Sequence, residues 1–148
     1  MNSFSVLISV YEKDNAKQFK LALASIFQNT LQPYDVVLIV DGPVKESLKK
    51  IINLFKKKYI NFNVYFLKEN KGLSNALNIG LKLCKCNIIF RADADDINKC
   101  DRFKKQLSVI SKGYDLVGSW VDEFHYTSFI STRKVPEKSK DICRFARF

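Results

Sequence analysis

The chain has 148 residues, 47% of them hydrophobic and 27% charged, with a formal net charge of +10. That size and balance suit one globular domain with its own core, and with no apolar run of about 18 residues no membrane-spanning helix is expected. The first apolar stretch, FSVLISV, is too short for the core of a signal peptide and has no basic flank before it, so a cytosolic location is expected.

FSVLISV, residues 4–10, is β-branched and of strand length. Phe19, Ala22, Leu23, Ile26 and Phe27 then recur at helical spacing, which predicts a helix over 15–29 broken by Gln32-Pro33. DVVLIV, residues 35–40, predicts a second strand ended by the turn signal Asp41-Gly42-Pro43. Leu48, Ile51, Ile52, Phe55 and Tyr59 mark a second helix, and FNVYFL, residues 62–67, a third strand. Leu73, Ala76, Leu77, Gly80 and Cys84 mark a third helix, entered through Gly72. CNIIF, residues 86–90, predicts a fourth strand, and Phe103, Gln106, Leu107 and Ile110 a helix beginning near Asn98. YDLVGS, residues 114–119, predicts a fifth strand that continues or turns into WVDEFHY. From 127 to 148 the periodicity fades.

Strict alternation of strand and helix implies an α/β fold, a mostly parallel sheet with helices on both faces. Runs apolar on both sides, such as VVLIV, fit a doubly covered sheet. In such sheets ligands bind at the carboxyl ends of the strands. Tyr11 and Glu12 follow the first strand, Asp41 and Gly42 the second, Glu69 to Gly72 the third, and Arg91, Asp93, Asp95 and Asp96 the fourth. Carboxylates gathered at a strand end suit a hard divalent cation, Mg2+ or Mn2+, which binds one or two of them together with substrate phosphates. If the segment is extended, Asp93 and Asp95 share a face, and Asp96 points elsewhere, toward a sugar or a helix cap. Arg91 is a donor able to offset repulsion within the cluster.

The remaining residues narrow the classes. Cys84 and Cys86 form CxC rather than CxxC, and His125 is alone, so Cys84, Cys86, Cys100 and Cys143 read as reduced thiols and not as a zinc site. The positive charge is either a solvated face, as at Lys56, Lys57 and Lys58, or an attraction to anionic membrane lipid or phosphorylated ligands. Nucleic acid is not an expected partner, since no RNA-binding aromatic motif, zinc finger or basic region with heptads occurs.

Four motifs in order then resemble the family 2 glycosyltransferases, nucleotide-diphospho-sugar enzymes with the Rossmann-like GT-A fold. They are SVLISVYE, LIVDGP, ENKGLSNALNIGL and RADADDINKCDR, and the resemblance covers about residues 3–125. Their wording is most similar to bacterial enzymes that build O-antigen, capsule and exopolysaccharide. The resemblance implies inverting transfer of a sugar, from a UDP-linked donor, to a saccharide or lipid-linked saccharide. It implies that Tyr11 and Glu12 line the base pocket and Asp41 accepts a hydrogen bond from the base. It further implies Asp93 near the ribose or donor sugar, Asp95 as the principal metal ligand with Asp93 beside it, and Asp96 close to the sugar. The family's arginine in its Ala-Arg-Asn triplet is Leu77 here, so Lys71 or Arg91 would assist the diphosphate; the family's proline before Arg102 is Cys100.

Family members run on well beyond this length and carry their general base there. The resemblance therefore implies a nucleotide-sugar-binding core over residues 1–126 and the start of an acceptor-side region over 127–148, cut short. Asp122 and Glu123 are the nearby acidic candidates for the base. Four readings stay open: the donor-binding half of a glycosyltransferase, a complete small transferase whose acceptor site comes from a partner or a second copy, a non-catalytic module that binds nucleotide, a partner or a membrane surface, and a metal-dependent nucleotidyltransferase. The last would normally show a Gly-rich basic phosphate loop near the first strand, which SVYEKDN does not resemble. Apolar surface bared where a missing segment would pack predicts self-association.

Overall fold

The structure, a computed structural model, describes residues 3–125 and 128–145. The expected boundary at 126/127 and the residues after 145 lie outside the described residues. Four apolar runs form parallel strands: β1 (Phe4–Val10), β2 (Asp35–Val40), β3 (Phe62–Phe66) and β4 (Ile88–Ala92). They lie in the order β3-β2-β1-β4, with Val6 level with Val36 and Phe90, and Val36 level with Phe62. The first two strands made are thus the two central ones, which is why nearly all their residues are buried.

Side chains alternate across this sheet. Phe4, Val6, Ile8 and Val10 of β1 and Val36, Leu38 and Val40 of β2 face one layer of helices. That layer holds α1 (Ala16–Phe27), α2 (Glu46–Lys58) and the start of α4 (Arg102–Ile110). Phe19, Leu23 and Ile26 of α1, Leu48 and Ile52 of α2 and Phe103 of α4 close the core there. Each such side chain contributes about 1.5–3 kcal/mol of burial. Phe4, Phe90 and Phe103 meet with ring centroids 4.8–5.3 Å apart, joining β1, β4 and α4. Leu7, Val37 and Ile39 face the other side, covered by α3 (Leu73–Leu81) through Ala76 and Leu77. Gly80 lets α3 come that close, since a Cβ there would lie 2.2 Å from Leu7 Cδ1.

The chain divides into two compact units, one running to Leu107 and one from Ser108. The second contains an antiparallel pair, β5 (Val121–His125) with β6 (Ser128–Arg133), and α5 (Ser139–Phe145). The expected fifth strand over 114–119 is not formed. Its apolar residues find no neighbouring strand among the described residues, and Leu116 is left 83% exposed. The strand begins instead at Val121 and, among the described residues, pairs only with β6. No helix among the described residues is long and apolar enough to cross a membrane.

Candidate functional site

Because the four strands are parallel, their carboxyl ends share one edge of the sheet. The loops leaving that edge are laced together by backbone bonds. Asp41 N–H donates to the Val10 carbonyl at 2.8 Å, tying the end of β2 to that of β1, and Leu67 N–H donates to the Val40 carbonyl at 2.9 Å.

Asp41 is only 4% exposed. Its Oδ1 accepts from Lys71 N–H and its Oδ2 from Gly72 N–H, both at 3.0 Å. Gly72 N–H also reaches Asn70 Oδ1 at 3.0 Å. The carboxylate expected to meet a base therefore already organises the loop leading into α3. Gly42 makes this possible: its φ is +87°, and a Cβ there would stand 2.6 Å from Asn70 N. Gly72, at φ +89°, turns the chain into α3. Lys71 Nζ lies 2.8 Å from Glu69, both exposed.

After β1 the chain makes a tight turn. Tyr11 N–H donates to Asp14 Oδ2 at 2.9 Å and Asp14 N–H returns to the Tyr11 carbonyl at 3.2 Å. Asn15 then caps α1 by accepting from Lys17 and Gln18 N–H. Tyr11 is 38% exposed and Glu12 exposed, so both side chains face solvent. Burial pushes the Asp14 carboxyl above its ordinary value, the Tyr11 N–H pulls it back, and the Asp95 charge pushes it up again. The loops after β1 and β4 thus bring two carboxylates within electrostatic reach. Asp14 was not singled out in the sequence; the polar Asp14-Asn15 pair before a helical pattern is a turn-and-cap signal that would have found it.

Arg91 and Ala92 belong to β4 rather than following it, and the chain turns at once: Asp96 N–H closes on the Asp93 carbonyl at 3.4 Å. The alternation expected for Asp93 and Asp95 requires extended backbone and does not govern a turn. The helix expected from about Asn98 begins only at Arg102, so Asp96 stands too far upstream to cap it. Arg91 Nη2 grips Asp93 Oδ1 at 2.8 Å. Asp95 has no hydrogen-bond or ion-pair partner among the described residues, and Asp96 is exposed. Arg102 enters the same field: burial draws its guanidinium below its ordinary value, while Asp93 and Asp96 raise it. No three His, Cys, Asp or Glu side chains gather as ligands among the described residues. Asp95 is exposed, and a hard cation such as Mg2+ or Mn2+ needs only one or two carboxylates when phosphates fill its other positions.

Asp122 and Glu123 stand in the second unit. Asp122 Oδ1 accepts from Thr132 Oγ1 at 2.7 Å, and Glu123 accepts from Ser131 Oγ at 3.0 Å with Arg133 Nε at 3.7 Å. Both carboxylates therefore bridge β5 to β6.

The model of Glycosyl transferase family 2 matches residues 5–145. A UDP-Gal:alpha-D-GlcNAc-diphosphoundecaprenol beta-1,3-galactosyltransferase of Escherichia coli is 40% identical over 125 residues, covering 83% of this chain and 45% of that protein. The amylovoran biosynthesis glycosyltransferase AmsE of Erwinia amylovora is 38% identical over 146 residues, covering 97% of this chain and 54% of that protein. The chain thus spans about half the length of the curated relatives it matches. Among solved structures, S. aureus TarS 1-349 in complex with UDP-GlcNAc aligns with TM-score 0.65 at 22% identity, over 74% of this chain and 31% of that one. Mannosyltransferase PcManGT from Pyrobaculum calidifontis, in complex with GDP-Man and Mn2+, aligns with TM-score 0.61 at 17% identity, over 70% of this chain and 31% of that one. At these identities the likeness carries the fold, the GT-A arrangement.

Proposed function

Because the chain belongs to glycosyl transferase family 2, we propose that it is the donor-binding part of an inverting glycosyltransferase of bacterial surface polysaccharide synthesis. Its donor is a nucleotide-diphospho-sugar, UDP-linked, and its acceptor a saccharide or lipid-linked saccharide, in keeping with the galactosyltransferase relative's name. Residues 1–126 form the donor core, and 127–148 open the acceptor side. The observation that carries this reading is the convergence of Tyr11, Asp41, Lys71, Arg91, Asp93, Asp95 and Asp96 on one edge of a parallel sheet.

In this reading Tyr11 and Glu12 flank the base, and Asp41 receives its N–H while holding the Lys71–Gly72 loop at the donor. Asp95 and Asp93 hold a divalent cation, Mn2+ or Mg2+, and Asp96 stands at the sugar. When bound, that cation neutralises charge developing on the departing diphosphate. Lys71 and Arg91 add positive charge near the same oxygens, and fixed groups of this kind act without reorganising as charge develops. The acceptor hydroxyl needs a carboxylate to take its proton. Asp122 and Glu123 are engaged within the hairpin, which favours a second reading for this chain by itself: nucleotide binding without efficient transfer. The lysine-rich α2 adds a peripheral contact with anionic membrane, on the cytoplasmic side, where a lipid-linked acceptor would be met.

Calorimetric titration of UDP with and without Mn2+ tests the donor site. Mn2+ is expected to tighten UDP binding about tenfold, or about 1.4 kcal/mol. Asp95→Ala and added EDTA should each remove that increment while leaving the metal-free affinity unchanged. An increment that survives Asp95→Ala would overturn the metal assignment.

A further inference from the structure

We propose that Arg102 is a positioning residue: its guanidinium clamps the acidic turn at both ends and so fixes where Asp95 stands. The inference rests on the donor-site reading above. Arg102 Nη2 donates to the Arg91 carbonyl at 2.8 Å, where the chain enters the turn. Its Nη1 donates to Asn98 Oδ1, where the chain leaves it. Its Nε donates to Gln106 Oε1 at 3.0 Å, one turn further along α4. Residues 91 to 98 are thereby closed into a loop with one side chain as the clasp.

The clasp is itself anchored. Ser25 Oγ accepts from both the backbone N–H and the Nδ2 of Asn98, each at 2.9 Å, and donates to the Ala22 carbonyl at 2.7 Å. Asn29 Nδ2 adds a bond to the Lys99 carbonyl at 2.8 Å, and Thr30 N–H one to the Cys100 carbonyl at 2.7 Å. Helix α1 therefore holds the exit of the turn, and Arg102 carries that restraint across to β4. Asn98 and Gln106, each 7% exposed, keep these bonds away from competing water. Three acceptors in different directions require a planar fork of N–H groups, and a lysine ammonium on a flexible stem does not match them.

The clamp also sets where the carboxylates of the turn stand relative to its cations. Asp93 is engaged by Arg91 at 2.8 Å. The Arg102 charge lies within reach of Asp93 and Asp96. Asp95 is left at the middle of the turn without a protein cation among the described residues, and a loose turn would let it collapse onto either arginine.

The test compares wild type with Arg102→Lys in two measurements. Hydrogen exchange of residues 93–98 is expected to quicken about tenfold in the variant, with β1 unchanged. The Mn2+ dissociation constant at saturating UDP is expected to rise about tenfold, while UDP binding without metal stays as in wild type; a general loss of folding would weaken both. A folded Arg102→Lys protein whose 93–98 amides exchange at the wild-type rate overturns the clamp, whatever the metal arm reads. If wild type binds no Mn2+ with UDP, the donor-site reading fails, and the exchange arm still decides the clamp. Should Arg102→Lys not fold, Asn98→Ala is compared with Asn98→Asp, which loses the Nδ2 donor to Ser25 but keeps an acceptor for Arg102. About tenfold faster exchange in Asn98→Ala than in Asn98→Asp supports the clamp, and equal rates overturn it.

Discussion

Cys84 lies half-buried near Asp35 and Cys86, and its thiol is pushed from 9.0 up to about 11, first by burial and then by the Asp35 charge. At pH 8 it therefore carries about a hundredfold less thiolate than an ordinary cysteine. Cys100 and Cys143 are exposed. Iodoacetamide at pH 8, followed by peptide mapping, should label those two first and Cys84 about a hundredfold more slowly. The sign for stability follows from the same shift. The native thiol keeps its proton between about 9 and 11 while the unfolded one loses it, so stability falls as pH rises through that window. At this scale the sequence was informative about residue types and less so about partners. The acidic group at the end of β4 stood out because charge interrupts an apolar run. The reach of Arg102 back to the Arg91 carbonyl did not, because a backbone acceptor has no signature in sequence.

Among the elements, β1 and β2 are readable to the residue, since strands buried on both faces leave unbroken apolar runs. β4 is displaced by two residues from CNIIF: pairing with β1 runs on through Arg91 and Ala92, one of them charged, so hydropathy alone stops short. The expected strand over 114–119 has the composition of a strand without a ladder to join, and composition cannot report a missing neighbour. The entry to α3 depends on a contact from another element, the Asp41 carboxylate. Asp41→Ala would strip Lys71 N–H of its acceptor, leave Gly72 N–H only Asn70 Oδ1, and release the 70–72 loop. A loss of about 3 kcal/mol is expected in urea denaturation, with the slope unchanged.

For the whole molecule, a charge of +10 sets long-range behaviour more than it sets the fold. Lys49, Lys50, Lys56, Lys57 and Lys58 lie on the exposed sides of α2, together with Leu54, and Ile60 just beyond the helix is fully exposed. Lysines around exposed apolar side chains are what an interfacial helix presents to anionic lipid. Co-sedimentation with phosphatidylglycerol-containing vesicles should exceed that with phosphatidylcholine alone. The excess should fall as salt rises, and should drop at least about threefold in Lys50→Glu/Lys57→Glu. Equal binding to both vesicle types would remove the membrane contact from the proposed function.

The strand order has a further consequence, for synthesis. β1 emerges first yet ends in the middle, with Phe4 level with Ile88. At translation rates of about 5–20 residues per second, its second edge waits on the order of several seconds after β2 arrives. Throughout that interval a ribosome-bound intermediate carries a bare apolar ladder edge and cannot yet own the turn that bears Asp95. Competence for ligand should therefore appear late and all at once, when β4 slots in beside the oldest strand.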